Sequence, residues 1–182
     1  MKILITGTSR GIGRAAAIKF LSQNHQVFGI DEKPDTISGD KSILNSENYT
    51  HFTADISVKE QLPSIDDVEI LVNNAGVQTA SLRDIEVNLL GTMAVTEKYA
   101  FQGKIKSVVF NSSVSALTGN EFADYAVSKA GINGYMKNCA IRLANKYKAT
   151  CNSLCFGGVL TELNAPVTEN PRLWNKIMEI TP

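Results

Sequence analysis

Ile3-Leu4-Ile5-Thr6-Gly7-Thr8-Ser9-Arg10-Gly11-Ile12-Gly13 is a short apolar run that breaks into closely spaced glycines. The run has the length and β-branching of a buried strand. Arg14 to Leu21 follows with Ala15-Ala16-Ala17 and apolar Ile18 and Leu21, and reads as a helix. Val27-Phe28-Gly29-Ile30 is then a second buried strand, ending at Asp31. Strand, glycine turn, helix and strand make the crossover unit of a parallel sheet. Glycines between strand and helix allow a tight turn and close approach of a pyrophosphate, with free N–H groups at the helix start. A plain tight turn is the alternative reading of the same spacing.

The alternation continues outward from that unit. Tyr49 to Thr53, Val68 to Val72, Ile105 to Phe110 and Ala149 to Leu154 read as strands. Val58 to Ile65 reads as a brief helix, Leu82 to Tyr99 and Ala123 to Tyr147 as longer ones, and Glu169 to Ile180 as a last one. Asp31 to Asn48 is polar and reads as a loop with at most one helical turn. The expected fold is α/β: a Rossmann-like, doubly wound parallel sheet in a three-layer α/β/α arrangement. Residues 1–182 suit a single domain. In such sheets ligands bind beyond the carboxyl ends of the strands. The polar and glycine-rich motifs all fall at those ends.

Composition narrows the function classes. Lys+Arg and Asp+Glu are 18 each, so no basic excess points to nucleic acid or an anionic membrane. No apolar run approaches a membrane span, and Met1 to Thr6 runs directly into a strand without signal-peptide architecture. A cytoplasmic location is the expectation. Cys139, Cys151 and Cys155 form no C-x-x-C pair, and His25 and His51 stand alone. The expectation is buried free thiols, with no disulfide framework and no metal.

The motifs carry the chemistry. Asp31 lies about 20 residues beyond the glycines, where a carboxylate accepts from a ribose diol and repels a 2′-phosphate. With Glu32 beside it, this favours NAD over NADP. Arg10 and Lys33 pull toward a phosphate, and Asp31 opening a polar turn is the bland alternative. In Tyr125-Ala126-Val127-Ser128-Lys129 the tyrosine and lysine share a helix face. An ammonium beside a phenol stabilises tyrosinate, so Tyr125 can act as general acid or base. Ser112 and Ser113 end the preceding strand, and Asn73-Asn74-Ala75-Gly76 ends another.

These motifs, in this order, resemble the main branch of the short-chain dehydrogenase/reductase family, from Lys2 to Thr161. The resemblance implies an oxidoreductase that moves a hydride between a nicotinamide cofactor and a carbonyl/secondary-alcohol pair. It implies that Thr6, Gly7, Ser9, Arg10, Gly11, Ile12 and Gly13 line the cofactor phosphates and ribose. Asp55, followed by Ile56, matches the segment at the adenine, with a helix N-cap as the alternative for Asp55. Asn74, Ala75 and Gly76 would lie along the cofactor. Gly157, Gly158, Val159 and Thr161 resemble the segment that fixes the carboxamide. Catalysis would fall to Ser113, Tyr125, Lys129 and Asn88. Lys129 would also hold the nicotinamide ribose, and Asn88 a relay water, unless it merely kinks a helix. Family chains place the serine second in the Ser-Ser pair; tyrosine spacing alone also allows Ser112.

The chain departs from the family in places. Asp31 to Asp55 and Gly76 to Asn88 are shorter than usual, and Phe156 stands where a proline is usual. The chain stops at Thr181-Pro182, where family members continue through another helix and strand. A shortened or missing C-terminal part is therefore expected, with the sixth strand as an exposed edge. Residues 161–180 occupy the place of a substrate lid. Leu173, Trp174, Ile177 and Met178 suggest a hydrophobic or ring-containing substrate, or simply core packing. A small-molecule substrate and a homodimer or homotetramer are the expected partners. An NADPH-dependent beta-ketoacyl carrier-protein reductase and a non-catalytic cofactor sensor are the alternatives.

Overall fold

The computed structural model describes residues 1–34, 43 and 46–180, with Ile180 in its backbone only. Among these residues six parallel strands form one sheet in the order β3-β2-β1-β4-β5-β6. The strands are β1 (Lys2–Thr6), β2 (Gln26–Asp31), β3 (Tyr49–Thr53), β4 (Ile70–Asn73), β5 (Ser107–Ser113) and β6 (Thr150–Phe156). The strand order reverses at β1, so β1 and β4 flank a crevice at their carboxyl ends. β3 and β6 are the sheet edges.

Alternation along β1 feeds both faces. Ile3 and Ile5 pack with Val27 and with Ala17 of α1 (Gly11–Leu21). Leu4 points to the other face, joining Ile30, Leu71 and Phe110. There it meets Val95 and Tyr99 of α2 (Thr92–Tyr99) and Ile132, Cys139 and Leu143 of α4 (Ala123–Tyr147). Helices on both faces explain why the strands read as continuous apolar runs. α3 (Ser115–Thr118), α5 (Ala165–Thr168) and α6 (Pro171–Ile180) complete the described helices.

Some expectations shift. Val58 to Ile65 is only one 3₁₀ turn, Lys59–Gln61. Leu62 turns extended ahead of Pro63, whose ring disfavours a helical predecessor. The long helix from Leu82 is not uniform: Ile85–Gly91 is π-helical before α2 begins. Asn111, Ser112 and Ser113 do not follow β5 but are its last residues, because β6 pairs with them through Phe156. The loop expected over Asp31 to Asn48 lies largely outside the described residues. No helix among the described residues is long and apolar enough to cross a membrane.

Candidate active site at the carboxyl ends of the strands

The strand ends are laced together before any ligand is considered. Thr6 Oγ1 accepts from the backbone N–H groups of Asn74 and Ala75, both at 3.0 Å. The Asn74 amide donates to the carbonyls of Thr6 and Gly7 at 3.0 and 3.1 Å. Its oxygen accepts from Asn111 Nδ2 at 2.8 Å. β1, β4 and β5 thus end in one hydrogen-bonded rim around a cleft of about 440 Å³, the size of a small-molecule site.

The glycine turn forms one wall. Gly7 takes a φ of +77°, and a Cβ there would come within 2.8 Å of Asn74 Nδ2. At Gly13 a Cβ would sit 2.0 Å from the Gly7 carbonyl oxygen, so the helix and turn touch backbone to backbone. No side chain caps α1 and no acid stands in its first turn. Its leading N–H groups and dipole are therefore available to an anion in the cleft. Gly7, Arg10, Gly11 and Ile12 line the cleft. Thr6, Ser9 and Gly13 do not. They are buried beside it.

Asp31 lines the next stretch. Its oxygens accept from the N–H of Ser9 at 3.0 Å and of Lys33 at 2.9 Å, tying the β2 end to the glycine turn. Asp55 and Ile56 also line the cleft. Asp55 is engaged by the Ser57 N–H and hydroxyl at 2.9 and 2.7 Å and by the Arg83 guanidinium. Burial works to raise its carboxyl, but Ser57 and Arg83 outweigh it and hold the pKa below the usual value. Ile56 is buried against Gly91.

Tyr125 and Lys129, one turn apart on α4, both line the cleft. The Lys129 ammonium donates to the Asn111 carbonyl at 2.9 Å and lies 5.6 Å from the Tyr125 ring centre. Burial pulls its pKa down to about 8, against an opposing pull from Asp84. Burial also raises Tyr125, with Glu121 and Asp84 adding to it and a hydrogen bond from Ser113 opposing it. The expected depression of the phenol by the ammonium is not what the cofactor-free geometry gives. The lysine is itself desolvated and turned toward Asn111. Of the two serines, Ser113 meets the phenol, while Ser112 donates to the Lys129 carbonyl at 3.2 Å.

Asn88 lies behind Gly76, its side-chain oxygen 3.1 Å from where a Cβ on that residue would sit. Its side chain accepts from the Val77 N–H at 2.7 Å and donates to the Val77 carbonyl at 2.9 Å and Ser128 Oγ at 3.1 Å. It is fully buried inside the π-helical turn, and its side chain holds the segment after Gly76. Asn74, Ala75 and Gly76 line the cleft, with Asn74 and Ala75 packed directly against the glycine turn. Gly157, Gly158, Val159 and Thr161 close it from β6, and the Thr161 methyl lies over Gly11. Of the expected lid, Thr161 to Asn164 reach the cleft, but Leu173, Trp174, Ile177 and Met178 do not line it. Leu173 and Met178 are 43% and 52% exposed, so these residues give no argument for an apolar substrate.

Sequence reasoning missed four contributors. Asn111 anchors the lysine, Ser128 joins Asn88 to the Tyr125 carbonyl at 2.7 Å, and Gln78 and Glu121 face each other across the mouth at 2.8 Å. Asn111 adjoined the serine pair and was findable. Ser128 lies within the Tyr125–Lys129 motif, whereas Gln78 and Glu121 become visible only when distant loops meet.

The sequence profile of the family described as short chain dehydrogenase matches residues 1–172. L-rhamnose 1-dehydrogenase (NAD(P)(+)) of Sphingomonas sp. is 31% identical over 89% of this chain and 74% of its own length. The 3-oxoacyl-[acyl-carrier-protein] reductase of Aquifex aeolicus is 30% identical over 91% of this chain and 77% of its own. Among solved structures, 4-hydroxyisoleucine dehydrogenase complexed with NADH superposes with a TM-score of 0.83 at 24% identity, covering 98% of this chain and 82% of that one. That likeness is one of fold.

Proposed function

Since the chain belongs to the short chain dehydrogenase family and is an NAD(P)-dependent oxidoreductase acting on CH–OH groups, we propose that it interconverts a carbonyl and a secondary alcohol with Tyr125 as the proton-transferring residue. One observation carries the reading: Tyr125, Ser113 and Lys129 converge on the cleft that the uncapped start of α1 also faces. The glycine turn and the free helix N-terminus fit a dinucleotide, as an open backbone cradle should.

When bound, the nicotinamide supplies or takes up the hydride at the substrate carbon. Ser113 donates a hydrogen bond to the substrate oxygen. Tyr125 gives that oxygen its proton in reduction and removes it in oxidation. Lys129, held at the Asn111 carbonyl, fixes the phenol's surroundings and reaches the ribose. Asn88 acts as a positioning residue through Val77 and Ser128. Gly157, Gly158 and Val159 orient the carboxamide.

NAD is the proposed cofactor. Asp31 and Glu32 line the end where a 2′-phosphate would sit. Lys33 lies there too, but its ammonium pairs with Glu32 at 3.6 Å. NADH should bind at least about tenfold more tightly than NADPH, the size of one screened charge repulsion. Fluorescence titration measures both constants. Tighter NADPH binding would remove the NAD assignment and favour the carrier-protein reductase reading, which Arg10 in the cleft supports. Cofactor binding without turnover on ketones, aldehydes or quinones would favour the sensor.

A cytoplasmic homodimer or larger assembly is part of this reading. The outer face of α4 leaves Val127 and Ile141 57% and 65% exposed, beside the π-helical segment's Leu90 at 54%. Light scattering at micromolar concentration should give at least a dimer mass; a monomer would contradict it.

A further inference from the structure

We propose that Gln78 and Glu121 form a polar bridge across the mouth of the cleft that admits hydrogen-bonding neutral or cationic alcohols and excludes anionic ones. This assignment of substrate class rests on the reading of Tyr125 as the proton-transferring residue.

Both side chains line the cleft that holds Tyr125. Gln78 Nε2 donates to Glu121 Oε2 at 2.8 Å, joining the loop after β4 to the turn before α4. Each partner is fixed by its backbone. Val77, on one side of Gln78, is held at N–H and carbonyl by Asn88. Thr79 and Ala80, on the other side, donate to Asp84 at 2.7 and 3.2 Å. Asp84 and Asn88 stand one helical turn apart, so together they clasp the whole segment. Glu121 has a φ of +80°, a left-handed conformation that costs a residue with a side chain about 1–3 kcal/mol.

The charge at this end is negative. The cations lining the cleft are Arg10, Lys33 and Lys129. Arg10 and Lys33 belong to the glycine turn and the β2 end, and Lys129 is buried beneath the phenol. Among the described residues Glu121 makes no ion pair, with these three or any other cation. The bridge uses one N–H of the amide and one carboxylate oxygen. The other polar atoms of the pair have no hydrogen bond among the described residues, and they can accept from and donate to substrate hydroxyls. A substrate carboxylate would meet Glu121 with no compensating charge.

A matched series tests this. Beta-hydroxybutyrate, its reduced diol, the amino alcohol with an aminomethyl group in place of the carboxylate, and sec-butanol share one reacting carbinol. With NAD, kcat/KM relative to sec-butanol should be higher for the diol and amino alcohol and lower for beta-hydroxybutyrate, with about tenfold between the charged pair. Glu121→Gln should abolish that spread, and Glu121→Lys should reverse it. Taking ratios to sec-butanol cancels any effect of Glu121 on Tyr125 itself. Saturation-transfer NMR on the NADH-loaded protein repeats the comparison without catalysis. A charge order that survives both substitutions would overturn the bridge and leave the enzyme reading standing. The expected binding order without turnover of any member would support the bridge and count against Tyr125 as the proton-transferring residue for these alcohols. Equal binding of all members by wild-type protein would overturn the bridge.

Discussion

Tyr125→Phe is expected to lower kcat for carbonyl reduction by about 10²–10⁴-fold, the usual worth of a positioned proton donor. The change removes one oxygen and leaves the ring that packs on α4. Ser113 keeps its bonds to the Ser115 hydroxyl and N–H at 3.0 and 3.1 Å, so no buried group is orphaned. Thermal stability and NADH affinity should stay close to wild type. The phenol's raised pKa sets the pH dependence. A raised pKa keeps Tyr125 protonated at neutral pH, ready for reduction. Oxidation needs the tyrosinate, whose small fraction grows about tenfold per pH unit below the pKa. Alcohol oxidation should therefore climb with pH through neutrality, while reduction holds level and falls only once the phenol loses its proton. Steady-state rates in both directions check this, and a Phe variant retaining even a tenth of wild-type kcat would remove Tyr125 from the mechanism.

Gly13→Ala should abolish useful cofactor binding. The added Cβ would lie 2.0 Å from the Gly7 oxygen and 2.4 Å from Asn74 Nδ2. Neither can yield cheaply, because Asn74 ties three strand ends together and Gly7 is the turn itself. Overpacking of this kind costs about 1–3 kcal/mol, partly offset by alanine's better helix propensity of about 1 kcal/mol. Displacing the turn by about 1 Å moves the whole phosphate cradle, and misplacement on that scale costs about 10²-fold. NADH titration and thermal unfolding together separate the effects. Wild-type affinity in Gly13→Ala would mean that the turn is not the phosphate site.

The glycine turn shows why much of this protein was legible. Ile3 to Gly13 combines a buried-strand pattern with a spacing that few structures other than a strand-to-helix turn accommodate. α4 was readable to both ends, Ala123 and Tyr147, because its period is long and uninterrupted. The π-helical turn at Asn88 was not readable, and neither was the bonding of its amide to Val77, eleven residues earlier in sequence. Pro63 did mark the early end of the turn at Lys59–Gln61, and hydrophobic period alone concealed it. Within the site, the motif residues come together at one cleft, but which of them are buried was not readable. Thr6, Ser9 and Gly13 belong to the glycine motif, and all three are buried. Burial distinguishes lining from support, and spacing does not reveal burial.

The most direct measurement follows the transferred atom. NADH deuterated at its transferable position would be incubated with a ketone substrate, and the alcohol product analysed by mass spectrometry. Deuterium at the carbinol carbon, formed by wild-type protein and nearly absent with Tyr125→Phe, is the expected result. A protein that binds NADH at the cleft yet yields no deuterated alcohol from any carbonyl would contradict the account.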